Sequence, residues 1–502
     1  MILTRLFPAA GLLTLFLPLV RAQTEPFIPF NTFLQGVRDA TYAQWRNTAV
    51  ESPAAFDAIK SHILSMYNGI GTIRNTFILG VEYADCVDID KQPTVRLLRV
   101  DGIQRPPSSG THPEFSQGDG HALRYADSPL KLGLTDRFGN RIHCPVNTIP
   151  LARLTLQKLT RFPNLHAFFA KSQAGSALPS PQSLGTVEST EASEGGLVKT
   201  IPLTRLILQQ LTWFPNLQAF FAKSQDGSAL PSPPSGGARR PHQEELTLRA
   251  AEPHLHAYGY QYVRNFGGNS WLNLWNPIGD FSLSQQWYVG GSGSNRQTVE
   301  GGWAVYEKKF NTKNATLFIF YTADNYNVQM CWNLDCAAFV QINKNWVLGG
   351  TWNHYSATGG AQWGFEMQWK LYKGNWWLFL KGPGNYEAVG YYPNIIFHGG
   401  QLSKNADRVE YGGEVTRFDP SHNWPQMGSG ALPSAGWTRA AFQRSIFYVP
   451  KDESGGVGVW TALSTAVEGL KKCWDIAYTP SSKGGSWGSF FYFGGPGGKV
   501  CN

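Results

Sequence analysis

Two glutamates set beside glycines carry the chemistry this chain is best equipped to do. Glu300 stands in Thr298-Val299-Glu300-Gly301-Gly302-Trp303 and Glu414 in Tyr411-Gly412-Gly413-Glu414-Val415, both in stretches that read as β-strand. Side chains on a strand alternate between its faces, and a neighbouring glycine lets another backbone come close to the sheet. Two carboxylates on one face can divide proton acceptance from proton donation. A single strand glutamate is more often merely solvated, so the surrounding sequence has to decide. Other chemistries find little footing. The Gly-Ser-Gly stretches at Gly291-Ser292-Gly293 and Gly428-Ser429-Gly430 lack a following helix and an assignable His/Asp pair, so they read as turns. His254 and His256 have no metal-ligand spacing and read as a surface or linker pair. No metal or cofactor is expected, and Gly495-Pro496-Gly497-Gly498 lacks the Lys-Ser/Thr of a phosphate cradle.

The elements that must position the glutamates are short strands. From about His254 onward they read as Trp271–Trp275, Leu283–Val289, Gly301–Tyr306, Ala315–Tyr321, Ala338–Ile342, Trp363–Tyr372, Trp376–Lys381, Val389–Phe397 and Arg408–Phe418. Turn signals such as Gly290-Gly291 and Gly382-Pro383-Gly384-Asn385 separate them. Many short strands without helical crossovers imply two stacked antiparallel sheets. Most of the dense tryptophans (Trp287, Trp363, Trp369, Trp376, Trp377 and Trp424 among them) belong to such a core. Trp303 is the first candidate for a substrate-binding ring, by its adjacency to Glu300.

The first half is organised differently. Residues 1–22 carry Arg5, an apolar run from Leu12 to Val20 and a small residue at Ala22, the pattern of a signal peptide. Residues 23 to about 75 show apolar residues at helical steps (Phe30, Phe33, Leu34, Val37; Phe56, Ile59, Ile63, Leu64), which predicts two amphipathic helices. Alternation in Phe77–Val81 and Val95–Val100 predicts strands. Residues 149–182 then return as 201–234, matching at 27 of 34 positions. The copies end in Ser/Pro-rich runs, so the region from about 171 to 250 reads as an exposed linker. Two near-identical copies are fewer than a stacking repeat array needs, and the doubling is read as duplication without function.

Motif order in both halves resembles the neprosin family of secreted glutamic peptidases. The second half carries Leu274-Trp275-Asn276-Pro277, Phe281-Ser282-Leu283-Ser284-Gln285, Cys331-Trp332-Asn333-Leu334-Asp335-Cys336, Gly374-Asn375-Trp376-Trp377, Val389-Gly390-Tyr391-Tyr392-Pro393 and Gln426-Met427-Gly428 around the two glutamate motifs. The first half is similar to the family's activation peptide in Asp85-Cys86-Val87-Asp88, His112-Pro113-Glu114 and Cys144-Pro145-Val146-Asn147. The resemblance implies Glu300 and Glu414 as the catalytic pair, cleavage after proline, and a groove across one concave sheet of a β-sandwich (jelly-roll or concanavalin-like). It implies activity at acid pH and an N-terminal segment that silences the enzyme. The sequence does not decide which glutamate is the base; Glu300 is taken for it provisionally. Six cysteines in an exported chain suggest three disulfides. Local pairing is favoured, Cys86 with Cys144, Cys331 with Cys336 and Cys473 with Cys501, because a bridge across a cleaved linker would prevent release.

The expected organisation is therefore a signal peptide (1–22), a small α+β activation domain (23–150), a repeat-containing linker (151–253) cut during maturation, and an all-β catalytic domain (254–502). Asn314-Ala315-Thr316 is a glycosylation sequon, consistent with a secreted protein. After Pro253 the chain has 19 basic and 15 acidic residues with no dense basic run, which argues against nucleic acid as a partner. No later stretch approaches about 18 unbroken apolar residues, so no membrane anchor is expected. The expected partners are proline-containing peptides and the chain's own activation segment. A glycoside hydrolase using the same glutamates and a non-catalytic carbohydrate-binding protein are the alternatives.

Overall fold

The computed structural model describes residues 26–115, 122–171 and 253–501. The expected signal peptide, the second repeat copy and the stretch expected to be cut lie outside the described residues.

Beyond Pro253 the alternating apolar residues build two sheets packed face to face. The front sheet runs Met330–Trp332, Thr316–Thr322, Gln297–Val305, Phe281–Gly290, Ala406–Thr416, Leu255–Asn265, Ser464–Val467. The back sheet runs Val340–Gln341, Glu387–Tyr392, Asn375–Lys381, Gln362–Tyr372, Gly267–Asn273, Ala441–Tyr448, Phe490–Gly494, Asp475–Thr479. Adjacent strands in both are antiparallel. Period-two alternation decides the faces: Phe365, Met367, Trp369 and Leu371 of one back strand enter the core, and Glu366, Gln368 and Lys370 point away from it. Truncating a fully buried ring such as Trp369 to alanine would cost about 3–5 kcal/mol. The expected all-β sandwich is what forms.

The N-terminal region is the expected small α+β unit, with helices Phe30–Asp39 and Pro53–Tyr67 and a sheet of Thr76–Leu79, Glu82–Asp88 and Thr148–Ala152. The three expected disulfides are present, with Cα separations of 5.4, 6.2 and 5.8 Å for Cys86–Cys144, Cys331–Cys336 and Cys473–Cys501. Two expectations about strands fail. Residues 95–100 do not form a strand; the helix Pro93–Leu97 starts there, on a proline whose fixed φ and missing N–H suit a first turn. The strand expected to run to Phe397 stops at Tyr392, because Pro393 has no N–H for the ladder.

The described part of the first repeat copy, residues 149–171, is folded and not linker. It supplies the strand Thr148–Ala152 and the short helices Leu156–Leu159 and Leu165–Phe169, capped by Thr155 and Asn164. Leu156, Leu159, Phe162 and Phe168 are buried. The folded N-terminal region therefore continues to Lys171, and it touches both sheets of the sandwich. Leu123–Tyr125 even adds to the back sheet, parallel to Gln362–Gly364.

Candidate active site

Glu300 and Glu414 come from the front strands Gln297–Val305 and Ala406–Thr416, which flank Phe281–Gly290. Both are fully buried. Thr298, Glu300 and Gly302 share the outward face, whereas Gly301 faces the core, where an added Cβ would lie 2.8 Å from Met367 Sδ. Three residues from Glu300 is the wrong parity for a cleft residue. Trp303 accordingly lies in the core, its indole N–H donating to Asn273 O at 2.9 Å, and it is not a groove residue. The floor around Glu300 consists instead of Trp287 and Phe320, its cross-strand neighbours, and Phe318. Gln285 lies between Gly302 and Gly412, and at Gly412 an added Cβ would meet Ala257 O at 2.4 Å.

A side chain from the N-terminal region fills the space between the glutamates. Lys171 Nζ donates to Glu300 Oε2 at 2.6 Å, to Glu414 Oε2 at 3.0 Å and to Gln285 Oε1 at 3.0 Å. The ammonium sits over the rings of Trp287, Phe320 and Phe318, 5.5–6.0 Å from their centroids. Its backbone is held in place as well: Lys309 Nζ donates to Phe168 O at 2.9 Å and the Trp332 indole to Ala170 O at 3.3 Å. Residues 279–496 match the neprosin family model. This stretch is a neprosin domain. It contains both glutamates, while Lys171, His254 and His256 precede it. Among solved structures, scytalido-glutamic peptidase with a transition state analog inhibitor aligns at 8% identity over 49% of this chain and 99% of its own, with a TM-score of 0.28. The same peptidase with a peptide based transition state analog aligns at 8% identity over 49% and 98%, with a TM-score of 0.25.

Within the neprosin domain the two carboxylates have unlike surroundings. Glu300 is met by hydroxyls: Thr298 Oγ1 and Tyr326 OH donate to its Oε1 at 2.6 and 2.7 Å. Glu414 is met by imidazoles. His254 Nδ1 is hydrogen-bonded to Glu414 Oε1, and His256 Nε2 lies 3.6 Å from Oε2. The other nitrogen of His256 is 2.5 Å from Glu468 Oε2. Burial opposes a charge on His256, but hydrogen bonds to Glu414 and Glu468 override it and raise its pKa to about 10. Burial also works against charge on Glu414, yet Lys171 and His254, with the hydrogen bond from His256, hold it well below the ordinary carboxyl value.

Both histidines thus belong to the site and not to a surface or linker pair. Their spacing gave no metal pattern, but His256 is in the strand Leu255–Asn265 and His254 immediately precedes it, so two residues apart in extended chain they share a side, and that parity was the available signal. Glu410, on the same strand as Glu414, is buried as well, with Arg408 Nε 2.8 Å away. Lys171 was legible only as part of Phe-Phe-Ala-Lys, which recurs in the second copy at 220–223. Among the described residues no group of three or more His, Cys, Asp or Glu side chains is arranged to hold a metal ion.

Proposed function

We propose that this chain is the zymogen of a secreted glutamic endopeptidase that cuts after proline at acid pH, with Glu414 as general base and Glu300 as proton donor. The observation that carries the reading is one buried ammonium, delivered by the N-terminal region, bound to both carboxylates at once. A masked pair of this kind is of use only if the mask leaves.

Once Lys171 withdraws, two carboxylates remain close together, and like charges favour one shared proton between them. The neighbouring groups break the symmetry. His256, charged through its pairing with Glu468, keeps a cation beside Glu414. Around Glu300 both hydroxyls occupy Oε1, so Oε2, the oxygen on the Lys171 side, is left to carry the proton. Glu414 takes a proton from water as its oxygen attacks the peptide carbonyl. Glu300 donates a hydrogen bond to the developing oxyanion, then protonates the leaving nitrogen. This reverses the provisional choice of Glu300 as base. The rings of Trp287, Phe318 and Phe320 suit proline, a flat apolar ring without an N–H to satisfy.

Acid loosens the mask in a defined direction. The Lys171–Glu414 pair contributes stability above the ordinary carboxyl value of 4.5 and loses it as pH falls through the depressed value in the folded chain. Release therefore needs a medium well below 4.5, followed by cutting between about 172 and 253. The test is to acidify purified protein, sequence the new N-terminus, and assay a proline-containing peptide beside a polysaccharide panel. Peptide cleavage with a terminus in that interval supports the reading; an active full-length chain, a terminus before Cys144, or turnover of polysaccharide alone refutes it.

A further inference from the structure

The outward face of the back sheet carries a second set of buried polar groups, on the far side of the sandwich from Glu300 and Glu414. Glu366, 1% exposed, projects there. His112 Nε2 lies 2.7 Å from its Oε1 and Lys381 Nζ 3.2 Å from its Oε2. Asn269 Nδ2 and Tyr125 OH donate to it at 3.3 and 3.1 Å. His112 and Tyr125 come from the N-terminal region, while Glu366, Lys381 and Asn269 belong to the sandwich beyond Pro253.

The stretch around His112 lies on this face as an extended peptide held mainly by its main chain. Gln368 grips Gly110 from both sides, accepting from its N–H at 2.7 Å and donating to its carbonyl at 3.2 Å. Thr111 N donates to Gly456 O at 2.8 Å and Gly458 N to Thr111 O at 3.0 Å. The Trp460 indole donates to Glu114 O at 2.9 Å, and its ring meets Phe115 at 5.1 Å. Main-chain pairing of this sort accepts any extended segment, and selection is left to the side-chain positions. Two are read here: a buried carboxylate whose Oε1 takes a cationic or imidazole partner while Lys381 stays on Oε2, and an aromatic ring three residues farther along.

We propose that this face is a second peptide-binding groove of the neprosin domain, open after maturation, that takes an extended polypeptide with a basic or imidazole side chain for Glu366 and an aromatic side chain three residues later for Trp460. It rests on the zymogen reading, since departure of residues 104–115 and of Leu123–Tyr125 opens the groove. The groove and the dyad are on opposite faces, so a long substrate can be held at one while another stretch of it is cut at the other.

The test uses the full chain carrying a protease site introduced between residues 172 and 252, cut and freed of its N-terminal fragment. A labelled peptide of residues 104–115 is titrated into it at neutral pH and followed by fluorescence anisotropy. Saturable binding is expected. His112→Glu in the peptide should weaken it at least tenfold, as should Glu366→Gln in the protein, and Glu414→Gln should leave it unchanged. Absence of saturable binding, equal affinity for the His112→Glu peptide, or loss of binding in Glu414→Gln would overturn the groove. Assaying the same preparation at acid pH tests the zymogen reading separately: binding without peptidase activity keeps the groove and removes that reading.

Discussion

The front and back sheets solve the same problem with different consequences. Each buries carboxylate on its outward face and borrows a partner from the N-terminal region to do so, the Lys171 ammonium on the front and the His112 imidazole on the back. The back-sheet Glu366 keeps a partner of its own in Lys381. Burial disfavours its charge, but His112, by hydrogen bond and charge, and then Lys381 bring its pKa to about 2. Alone and ionised, it can bind but has no second carboxylate with which to share a proton. The front pair has one. In the proposed release of Lys171, the close approach that made two glutamates a good seat for an ammonium becomes a reason for one of them to be protonated.

If the front pair is divided as proposed, conservative changes should act unequally there. Glu414→Gln removes the proposed base and should lower kcat by about 10⁴-fold. Glu300→Gln keeps an N–H able to support the oxyanion and loses only the proton donor, so about 10²-fold is expected. Steady-state kinetics of both, after cutting at an introduced linker site, decide the matter; the reverse order would return the base to Glu300. Glu366→Gln, on the other sheet, should leave cleavage of a short peptide unchanged.

The next effect concerns the mask. Lys171→Ala/Lys223→Ala removes the lysine from both repeat copies. Leaving two buried carboxylates without their cation costs about 3–5 kcal/mol of docking. The double variant should therefore cleave peptide without strongly acidic pretreatment, under conditions where the unaltered chain is silent, as a direct activity assay at pH 5 would show. A silent double variant would mean that the rest of the N-terminal region, including its hold on the back sheet, suffices to block the cleft.

How much of this could be read beforehand follows the physics of strands. Period-two alternation gave the sandwich and put Glu300 and Glu414 on strands, because apolar residues have to face the opposite sheet. The same rule, applied to spacing, would have placed Trp303 in the core and His254 and His256 on a shared face. Release logic kept the disulfides within each half, and the preference for local pairing chose among the rest. What could not be read was contact across long stretches of chain: Lys171 with Glu300, or His112 with Glu366, depends on how a region more than a hundred residues away folds back. Composition also misassigned residues 151–171, since Ser/Pro richness begins only after Lys171 and the preceding Leu and Phe residues are core.

The smallest expected effect separates His256 from both carboxylate sites. Its pKa rises from 6.5 to about 10 in the folded chain because, against burial, Glu414 and Glu468 hold the proton on the ring. That pairing contributes stability fully below the unfolded value and loses it as pH climbs through the folded one. The melting temperature of the full chain should therefore decline between about pH 7 and pH 10, by a few degrees if about 1–2 kcal/mol is at stake in a domain of this size. Glu468→Gln should flatten the decline, since the imidazolium then has one carboxylate instead of two, while Glu307→Gln, on an exposed turn of helix, should leave it intact. Melting curves across that range check it. Equal slopes in Glu468→Gln and the unaltered chain would mean that His256 is not held charged by this pair, and Glu414 would then lack the cation that is proposed to make it the base.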